Sequence, residues 1–372
     1  QYHKAIKNYQ QALALFRKLR TGDAIAVSLK RIGDVYHALG QYEKSIENYL
    51  QALTLFRKLG IEDAIVITLN NIGTVYHLLG QYEKSIENYQ QALTLFRKLG
   101  KEDRVAASLQ NIGMVYDSRG QYDKAMEKFQ EALVIARKLG QEDEIALSLD
   151  KIGTVYNYWG QYDKAIENYQ QALTLFRKLG IEDGIVITLN NIGTVYKSLG
   201  QYDKAMENYQ QVLTIARRLG KENEIATSLN NIGLVYKSWG QYDKAIENYQ
   251  QALTLFRKLG TEDKIATSLN NIGMVYNSWG QYDKAIENYQ QGLAIARKLG
   301  KEDQIARILN NIGGLYDSWG QYDKAIENYQ QALAIARKLG TEDGTATSLS
   351  NIGVTYYRQQ EYVPAIKHLV ES

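Results

Sequence analysis

The side chains of this sequence that could carry out chemistry recur at fixed positions along the chain. Four histidines and no cysteine are present, which excludes disulfides, thiolate metal sites and cysteine nucleophiles. His37 and His77 lie 40 residues apart, with Asp34 and Asp117 near them. Helices about 10 Å apart would hold the two rings at a borderline separation for a metal ion. We therefore favour two surface histidines and predict no metal site.

Catalytic constellations cannot be argued from the remaining residues. Every candidate carboxylate recurs as a solvated surface charge, so no nucleophile, base or paired acid stands out. No glycine-rich phosphate loop follows a strand, because the pattern predicts no strands. We expect no catalytic residue, no cofactor and no enzymatic activity in this segment.

Asparagines form the most regular polar pattern, which we call the asparagine ladder. One position of the repeat is Asn71, Asn111, Asn191, Asn231, Asn271, Asn311 and Asn351, and the residue before it is Asn70, Asn190, Asn230, Asn270 and Asn310. An amide offers both a donor and an acceptor, so a row of amides can hold a peptide backbone whatever its side chains. The alternative is that these amides hydrogen-bond neighbouring helices and hold a stack together. One neutral bond contributes only about 0.5–1.5 kcal/mol, so binding would need several.

A repeat of 40 residues positions this ladder. The string Gly-Gln-Tyr recurs from Gly40 to Gly320 without insertion or deletion, and periods of this size mark solenoids. In each unit two apolar stripes have the spacing of α-helices. In one copy the stripes are Leu69, Ile72, Gly73 and Tyr76, followed by Tyr82, Ile86, Tyr89, Leu93 and Phe96. Gly80 and Gly100 are expected to end the two helices.

The repeat predicts one all-α array over residues 1–372. Residues 1–20 are expected to form a lone second helix, 21–340 eight hairpins, and 341–372 a divergent, truncated last repeat, which makes nineteen helices. A lone hairpin cannot bury its stripe, so stability comes from stacked neighbours. Both Gln1 and Ser372 cut through a repeat, and we expect the parent protein to extend beyond this sequence.

Charge and composition limit the classes of partner that the chain is expected to bind. Lys and Arg total 44 and Asp and Glu total 41, so the chain has no electrostatic reason to bind nucleic acid or an anionic membrane. No apolar run is long enough to span a bilayer. The absence of cysteine suits the cytoplasm, although a targeting signal upstream of Gln1 would change that expectation.

The repeat resembles a known family. Leu69, Ile72, Gly73 and Tyr76, then Tyr82, Ser85 (Ala in most copies), Tyr89 and Ala92, resemble the W-x2-L-G-x2-Y and A-x3-F pattern of the tetratricopeptide repeat (TPR). The unit departs from this pattern, because it has 40 residues instead of 34 and lacks the usual proline. The 40-residue form resembles the repeats of LGN/Pins adaptors, kinesin light chains and cyanobacterial-type bacterial arrays. The resemblance implies a right-handed superhelix, or α-solenoid. Its inner surface would bind an extended peptide or another domain, with the Asn position contacting the peptide.

Most aromatic and glycine residues are expected to be structural. Of 29 tyrosines, all but Tyr158 and Tyr357 fall in three periodic series. The series from Gly33 to Gly353 is expected to let two helices approach closely. Trp159, Trp239, Trp279 and Trp319 share one position that extends the apolar face, which favours core or edge packing.

The inner-face positions that vary would set specificity. One series reads Asp34, Thr74, Met114, Thr154, Thr194, Leu234, Met274, Gly314 and Val354; another includes Asp117, Asn157, Lys197, Lys237 and Asp317. The ladder is broken at Lys30–Arg31 and at Asp150–Lys151. The second break coincides with Asn157 and Tyr158, so that repeat is the first to test. Neutral drift among recent duplicates is the alternative.

Three functions remain open at this stage. The first is a scaffold that binds a peptide or protein in the concave groove. The second is a regulatory or sensory arm of a larger enzyme or signalling protein, because both ends cut through a repeat. The third is end-to-end self-assembly, because the stripe of Ile6, Tyr9 and Leu13 lacks a neighbour.

Overall fold

The computed structural model describes residues 2–371, with the side chains of His3 and Glu371 excepted. Gln1 and Ser372, where the cut repeats are predicted, lie outside the described residues. Within the described range the chain has nineteen α-helices and no strand. The helices are α1 (Tyr2–Leu19), α2 (Gly22–Ala38), α3 (Tyr42–Leu59), α4 (Glu62–Leu78), α5 (Tyr82–Lys98), α6 (Glu102–Ser118), α7 (Tyr122–Leu139), α8 (Glu142–Tyr158), α9 (Tyr162–Leu179), α10 (Glu182–Ser198), α11 (Tyr202–Arg218), α12 (Glu222–Ser238), α13 (Tyr242–Leu259), α14 (Glu262–Ser278), α15 (Tyr282–Lys298), α16 (Glu302–Ser318), α17 (Tyr322–Leu339), α18 (Glu342–Arg358) and α19 (Tyr362–Glu371). The expected all-α fold of repeated helical hairpins is confirmed. The even-numbered helices are called first helices below, and the odd-numbered ones second helices.

Left-handed glycines end the helices, as predicted. Gly60 has φ of 67°, and its N–H bonds to the carbonyl of Arg57, while the N–H of Ile61 bonds to the carbonyl of Phe56. These bonds satisfy carbonyl groups that the helix end leaves open. Two equivalent positions lack glycine: Arg20 and Gln360 adopt φ of 57° and 65°, which is strained for residues with a Cβ.

A glycine and an aromatic ring join the two helices in the hairpins from α2–α3 to α16–α17, whereas Gly353 of α18 faces Leu369. A Cβ atom added at Gly73 would lie 2.9 Å from Cε1 of Tyr89, and one at Gly233 would lie 3.0 Å from the same atom of Tyr249. The ring therefore occupies the space that a side chain on the first helix would need. This confirms the predicted steric role of the glycine series.

The hairpins group into two compact units, residues 1–191 and 192–372. In the first unit, Leu69, Ile72 and Tyr89 belong to a buried cluster that spans several helices. In the second, Leu229 and Tyr249 do the same. Burying each large apolar side chain contributes about 1.5–3 kcal/mol, so stability arises from contacts between sequential helices. The assignment of residues 1–372 to a single array stays a prediction.

Tyrosines and tryptophans pack at different depths. Rings such as Tyr209 are buried, whereas Tyr236 is half-buried under the ammonium of Lys244. The predicted tryptophan packing is found at the edge of the stack: Trp239 is 40% exposed, with its ring centroid 6.0 Å from that of Tyr202. Among the described residues, no helix is both long and apolar enough to cross a membrane.

Candidate binding face

The asparagine ladder lies on the first helices, beside the stripe that packs on the second helices. In α4, Leu69 and Ile72 are buried, while Asn70 and Asn71 between them are half-buried. Residues one or two positions apart project from a helix in different directions. The same alternation therefore leaves a polar strip along each unit, which we call the ladder face.

Several ladder amides hydrogen-bond neighbouring first helices. Asn311 donates to Oδ1 of Asn270 across 2.8 Å, and Asn71 donates to Oδ1 of Asp34 across 3.2 Å. Asn230 and Asn310 donate to the hydroxyls of Ser268 and Ser348, at 3.1 and 3.2 Å. For these residues the stack-holding alternative describes the observed contacts.

The hydroxyl partners of these amides were not expected from the sequence reasoning, although a signal for them exists. Each lies 38 residues after the amide, and the corresponding position is Ser28, Thr68, Ser108, Ser148, Thr188, Ser228, Ser268, Ile308 and Ser348. A small hydroxyl residue that recurs at a buried position suggests a hydrogen bond across the stack. Where Ile308 interrupts the series, Asn270 accepts from Asn311 and donates to the sulfur of Met274 at 3.7 Å.

The break at Asp150–Lys151 is a buried junction. Asp150 is 3% exposed, and its Oδ1 accepts from Thr188 at 3.0 Å and from Asn191 at 3.2 Å. The ammonium of Lys151 lies 3.6 Å from Oδ2. Asp150 was predicted on the exposed inner face. Its burial makes it a residue that positions Asn191, and Lys151 is the more exposed of the pair.

Four ladder amides have no side-chain hydrogen-bond partner among the described residues: Asn70, Asn111, Asn271 and Asn351. Asn111 lines a first cleft of about 390 Å³ together with Asn70, whose buried Oδ1 also has no partner there. Asn271 lines a second cleft, of about 340 Å³, and Asn351 lines a third, of about 410 Å³. Donors and acceptors at these three clefts are open to a ligand.

The other predicted ladder and break residues differ in their contacts. Asn190 donates to the carbonyl of Val186 in its own helix, and Asn231 is also engaged. Tyr158 stacks on Tyr122 at 4.7 Å and is 56% exposed. Asn157 is half-buried, and its side-chain amide has no hydrogen-bond partner within residues 2–371.

Two lysines give the ladder face of the second unit a positive charge. Lys197 and Lys237 are half-buried, and neither lies within ion-pair distance of a carboxylate among the described residues. Loss of water lowers the pKa of both ammonium groups, and repulsion from Lys197 lowers the pKa of Lys237 further. An anionic group would relieve this repulsion.

The series that begins at Asp34 determines the partner of a buried tyrosine hydroxyl. Tyr49 donates to Asp34 at 2.9 Å, and Tyr89 lies 2.9 Å from the hydroxyl of Thr74. Thr154 and Thr194 repeat the contact with Tyr169 and Tyr209, at 3.1 and 3.0 Å. At Met114 the facing ring is Phe129, which has no hydroxyl. The variable position therefore supplies a polar partner in some repeats and none in others.

The two histidines of the predicted pair make different contacts. Nε2 of His77 lies 2.8 Å from the hydroxyl of Ser118, and burial lowers the pKa of the His77 ring. His37 packs its ring against Tyr42. Over the described residues, no three His, Cys, Asp or Glu side chains converge as metal ligands.

The family model described as "Tetratricopeptide repeat" matches most of the chain. The matched residues are 1–58, 64–138, 122–178, 184–258, 224–298, 264–338 and 304–372. A search of curated protein sequences finds no match.

Solved structures share the fold at low identity. A Rap protein complexed with competence and sporulation factor is 18% identical, with a TM-score of 0.57 over 90% of this chain and 95% of that one. The apo quorum sensor NprR from B. thuringiensis is 16% identical, with a TM-score of 0.60 over 90% and 97%. A signal-transduction ATPase from Pyrococcus horikoshii, with a tetratricopeptide repeat sensor, is 15% identical, with a TM-score of 0.60 over 91% of this chain and 52% of that one. At such identities the likeness concerns the fold alone.

Proposed function

The chain belongs to the tetratricopeptide repeat family, and we propose that it is a scaffold that binds an extended peptide segment or a domain of a partner protein on its ladder face. Tetratricopeptide repeat proteins in general mediate interactions between proteins. The observation that carries the proposal is that Asn111, Asn271 and Asn351 line clefts without partners among the described residues.

The chemistry of an amide suits a peptide backbone. Each free carboxamide can accept from a backbone N–H and donate to a backbone carbonyl. One such bond contributes about 0.5–1.5 kcal/mol, so binding requires several clefts at once. Within the second unit, amides such as Asn311, which bond neighbouring helices, hold the first helices in register and so set the spacing of Asn271 and Asn351.

Binding can be tested by removing only the uncommitted amides. The triple variant Asn111→Ala, Asn271→Ala and Asn351→Ala leaves the observed side-chain bonds between first helices in place. A matched control is the triple variant Asn88→Ala, Asn248→Ala and Asn328→Ala, whose amides bond only to their own second helices. Immobilised wild-type chain, ladder variant and control variant are exposed to lysate of the source organism. Partners retained by the wild type and the control should be lost from the ladder variant, and their retention by all three would sink the assignment.

A second candidate is a sensory arm within a larger signalling protein. The similarity to 52% of an ATPase whose name includes a tetratricopeptide repeat sensor supports this candidate at the level of fold. The repeat is typically non-catalytic, so catalysis in such a protein would lie in another domain. The parent gene tests this directly: an open reading frame that encodes only repeats would exclude it.

A further inference from the structure

Three buried tyrosines of the second unit, Tyr249, Tyr289 and Tyr329, lack the internal partner that the same position has in earlier repeats, and the last two line one cleft. The side chains of Tyr289 and Tyr329 are 1% and 4% exposed, and their hydroxyls have no hydrogen-bond partner among the described residues. Both residues line the third cleft, of about 410 Å³. In four earlier repeats, the equivalent hydroxyl bonds to Asp34, Thr74, Thr154 or Thr194.

Met274 and Gly314 cause the difference, since they replace the polar residue of the earlier repeats. A Cβ atom at Gly313 would lie 2.6 Å from the ring of Tyr329, so packing requires that glycine. A Cβ atom at Gly314 would meet only the hydroxyl of Tyr329, at an ordinary 3.4 Å. Gly314 costs helix stability of about 1 kcal/mol relative to alanine, and it leaves open space beside the hydroxyl.

The same cleft has a cation in excess. Arg358 pairs with Asp317, which also accepts from the hydroxyl of Thr355 at 3.1 Å. Lys237 lines the cleft and has no carboxylate within ion-pair distance in the described part of the chain. The facing charged groups are therefore two cations and one anion, with Lys197 adding further repulsion.

We propose that this cleft is a specificity subsite for an acidic side chain, Asp or Glu, of the peptide that the ladder face binds. The hydroxyls of Tyr289 and Tyr329 donate to the carboxylate, and Lys237 neutralises it. The buried Oδ1 of Asn277, which has no partner among the described residues, accepts an N–H of the same segment. Hydroxyl and ammonium donors to a carboxylate form charge-assisted bonds, which are stronger than neutral ones. This subsite rests on the proposed function.

The test uses surface-bound peptides of mixed sequence with acetylated N-termini and amidated C-termini. Each Asp- or Glu-containing peptide is paired with its Asn or Gln counterpart. The wild-type chain should bind the acidic member about tenfold more tightly, as expected for one charge-assisted hydrogen bond. Gly314→Thr should reduce this preference, because it supplies Tyr329 with the partner that Thr74 gives Tyr89. Tyr329→Phe should also reduce the preference for the acidic peptide. This substitution removes only the hydroxyl oxygen, so the packing of the ring stays unchanged.

Tyr89→Phe is the matched control, since its hydroxyl is already bonded to Thr74, and it should leave the preference intact. Equal binding of acidic and amide peptides by the wild type would overturn the subsite and leave the proposed function standing. Retention that depends only on a free C-terminal carboxylate, measured with unblocked peptides, would overturn the side-chain assignment. If the wild-type chain retains no peptide at all, both proposals fail.

Discussion

Asn191 donates through Nδ2 to Oδ1 of Asp150, 3.2 Å away on the preceding first helix. The same carboxylate oxygen accepts from Thr188, so one buried anion joins two positions of the next repeat. The contact shows why ladder residues fall into two groups. Some hold first helices together, and others, such as Asn111, line a cleft without a partner among the described residues.

Asp150→Ala should destabilise the first unit. The substitution leaves the buried donor of Thr188 and the half-buried donor of Asn191 without their acceptor, which costs about 3 kcal/mol for bonds to a charged group. Hydrogen exchange of α8 and α10 measures the effect locally, because long repeat arrays need not unfold in one step. Asn271→Ala, at an amide with no partner among the described residues, should leave exchange rates close to those of the wild type. Equal protection in Asp150→Ala and the wild type would contradict the junction.

Asp117→Asn should stabilise the protein at neutral pH. Burial raises the pKa of the Asp117 carboxyl above its ordinary value, with Lys151 opposing the shift, and its Oδ1 has no partner among the described residues. A raised pKa means that the folded state binds the proton more tightly, so stability falls as pH rises above the unfolded value. The gain from Asp117→Asn should therefore be present at pH 7 and shrink as the pH approaches 3.8, the ordinary value. Thermal unfolding midpoints across this range check it, and a gain that grows towards low pH would reverse the sign.

The adjacent glycines Gly313 and Gly314 should respond oppositely to alanine. Gly313→Ala places a methyl group 2.6 Å from the ring of Tyr329, and such overpacking costs about 1–3 kcal/mol. Gly314→Ala meets only ordinary contact and should stabilise α16 by up to about 1 kcal/mol. Urea unfolding of the two variants provides the comparison, and a similar loss in both would show that backbone flexibility, and not the ring, requires the glycines.

Tyr249→Phe should stabilise the second unit. The hydroxyl of Tyr249 is buried without a partner among the described residues, and removing such a group gains about 1 kcal/mol. Tyr89→Phe is the comparison, because it removes a hydroxyl bonded to Thr74 and should cost a similar amount. Chemical unfolding followed by far-ultraviolet circular dichroism gives both values. Destabilisation by Tyr249→Phe would mean that the hydroxyl has a partner in solution.

The repeat predicts the helix boundaries and the packing within each hairpin. The helix ends at Gly80 and Gly100, and the close approach at Gly73, follow from periodicity and from the shape of glycine alone. The hydrogen bonds of the ladder residues could not be predicted from the sequence. These bonds join residues 38 or 41 positions apart, so they depend on how neighbouring hairpins stack. Asp150 was expected on the open face and is buried, because its contacts also depend on how the hairpins stack. The sequence left open whether Trp239 packs in the core or at its edge, and the structure places it at the edge.

The variable positions show where sequence comparison between repeats stops being sufficient. The change from Thr194 to Met274 and Gly314 is visible in the sequence, but its effect depends on Tyr289 and Tyr329, fifteen residues further on. Only the structure shows that one hydroxyl oxygen is satisfied at Thr194 and that the other two line a cleft.

The central claim is that the uncommitted amides of the ladder face contact a partner. Isothermal titration calorimetry with the strongest captured partner tests it most directly. The affinity is measured for the wild type, for the ladder variant (Asn111, Asn271 and Asn351 to alanine) and for the control variant (Asn88, Asn248 and Asn328 to alanine). Loss of three hydrogen bonds of about 1 kcal/mol each predicts affinity weaker by about a hundredfold for the ladder variant, with the control equal to wild type. An unchanged affinity in the ladder variant, with its helical content intact, would contradict the account.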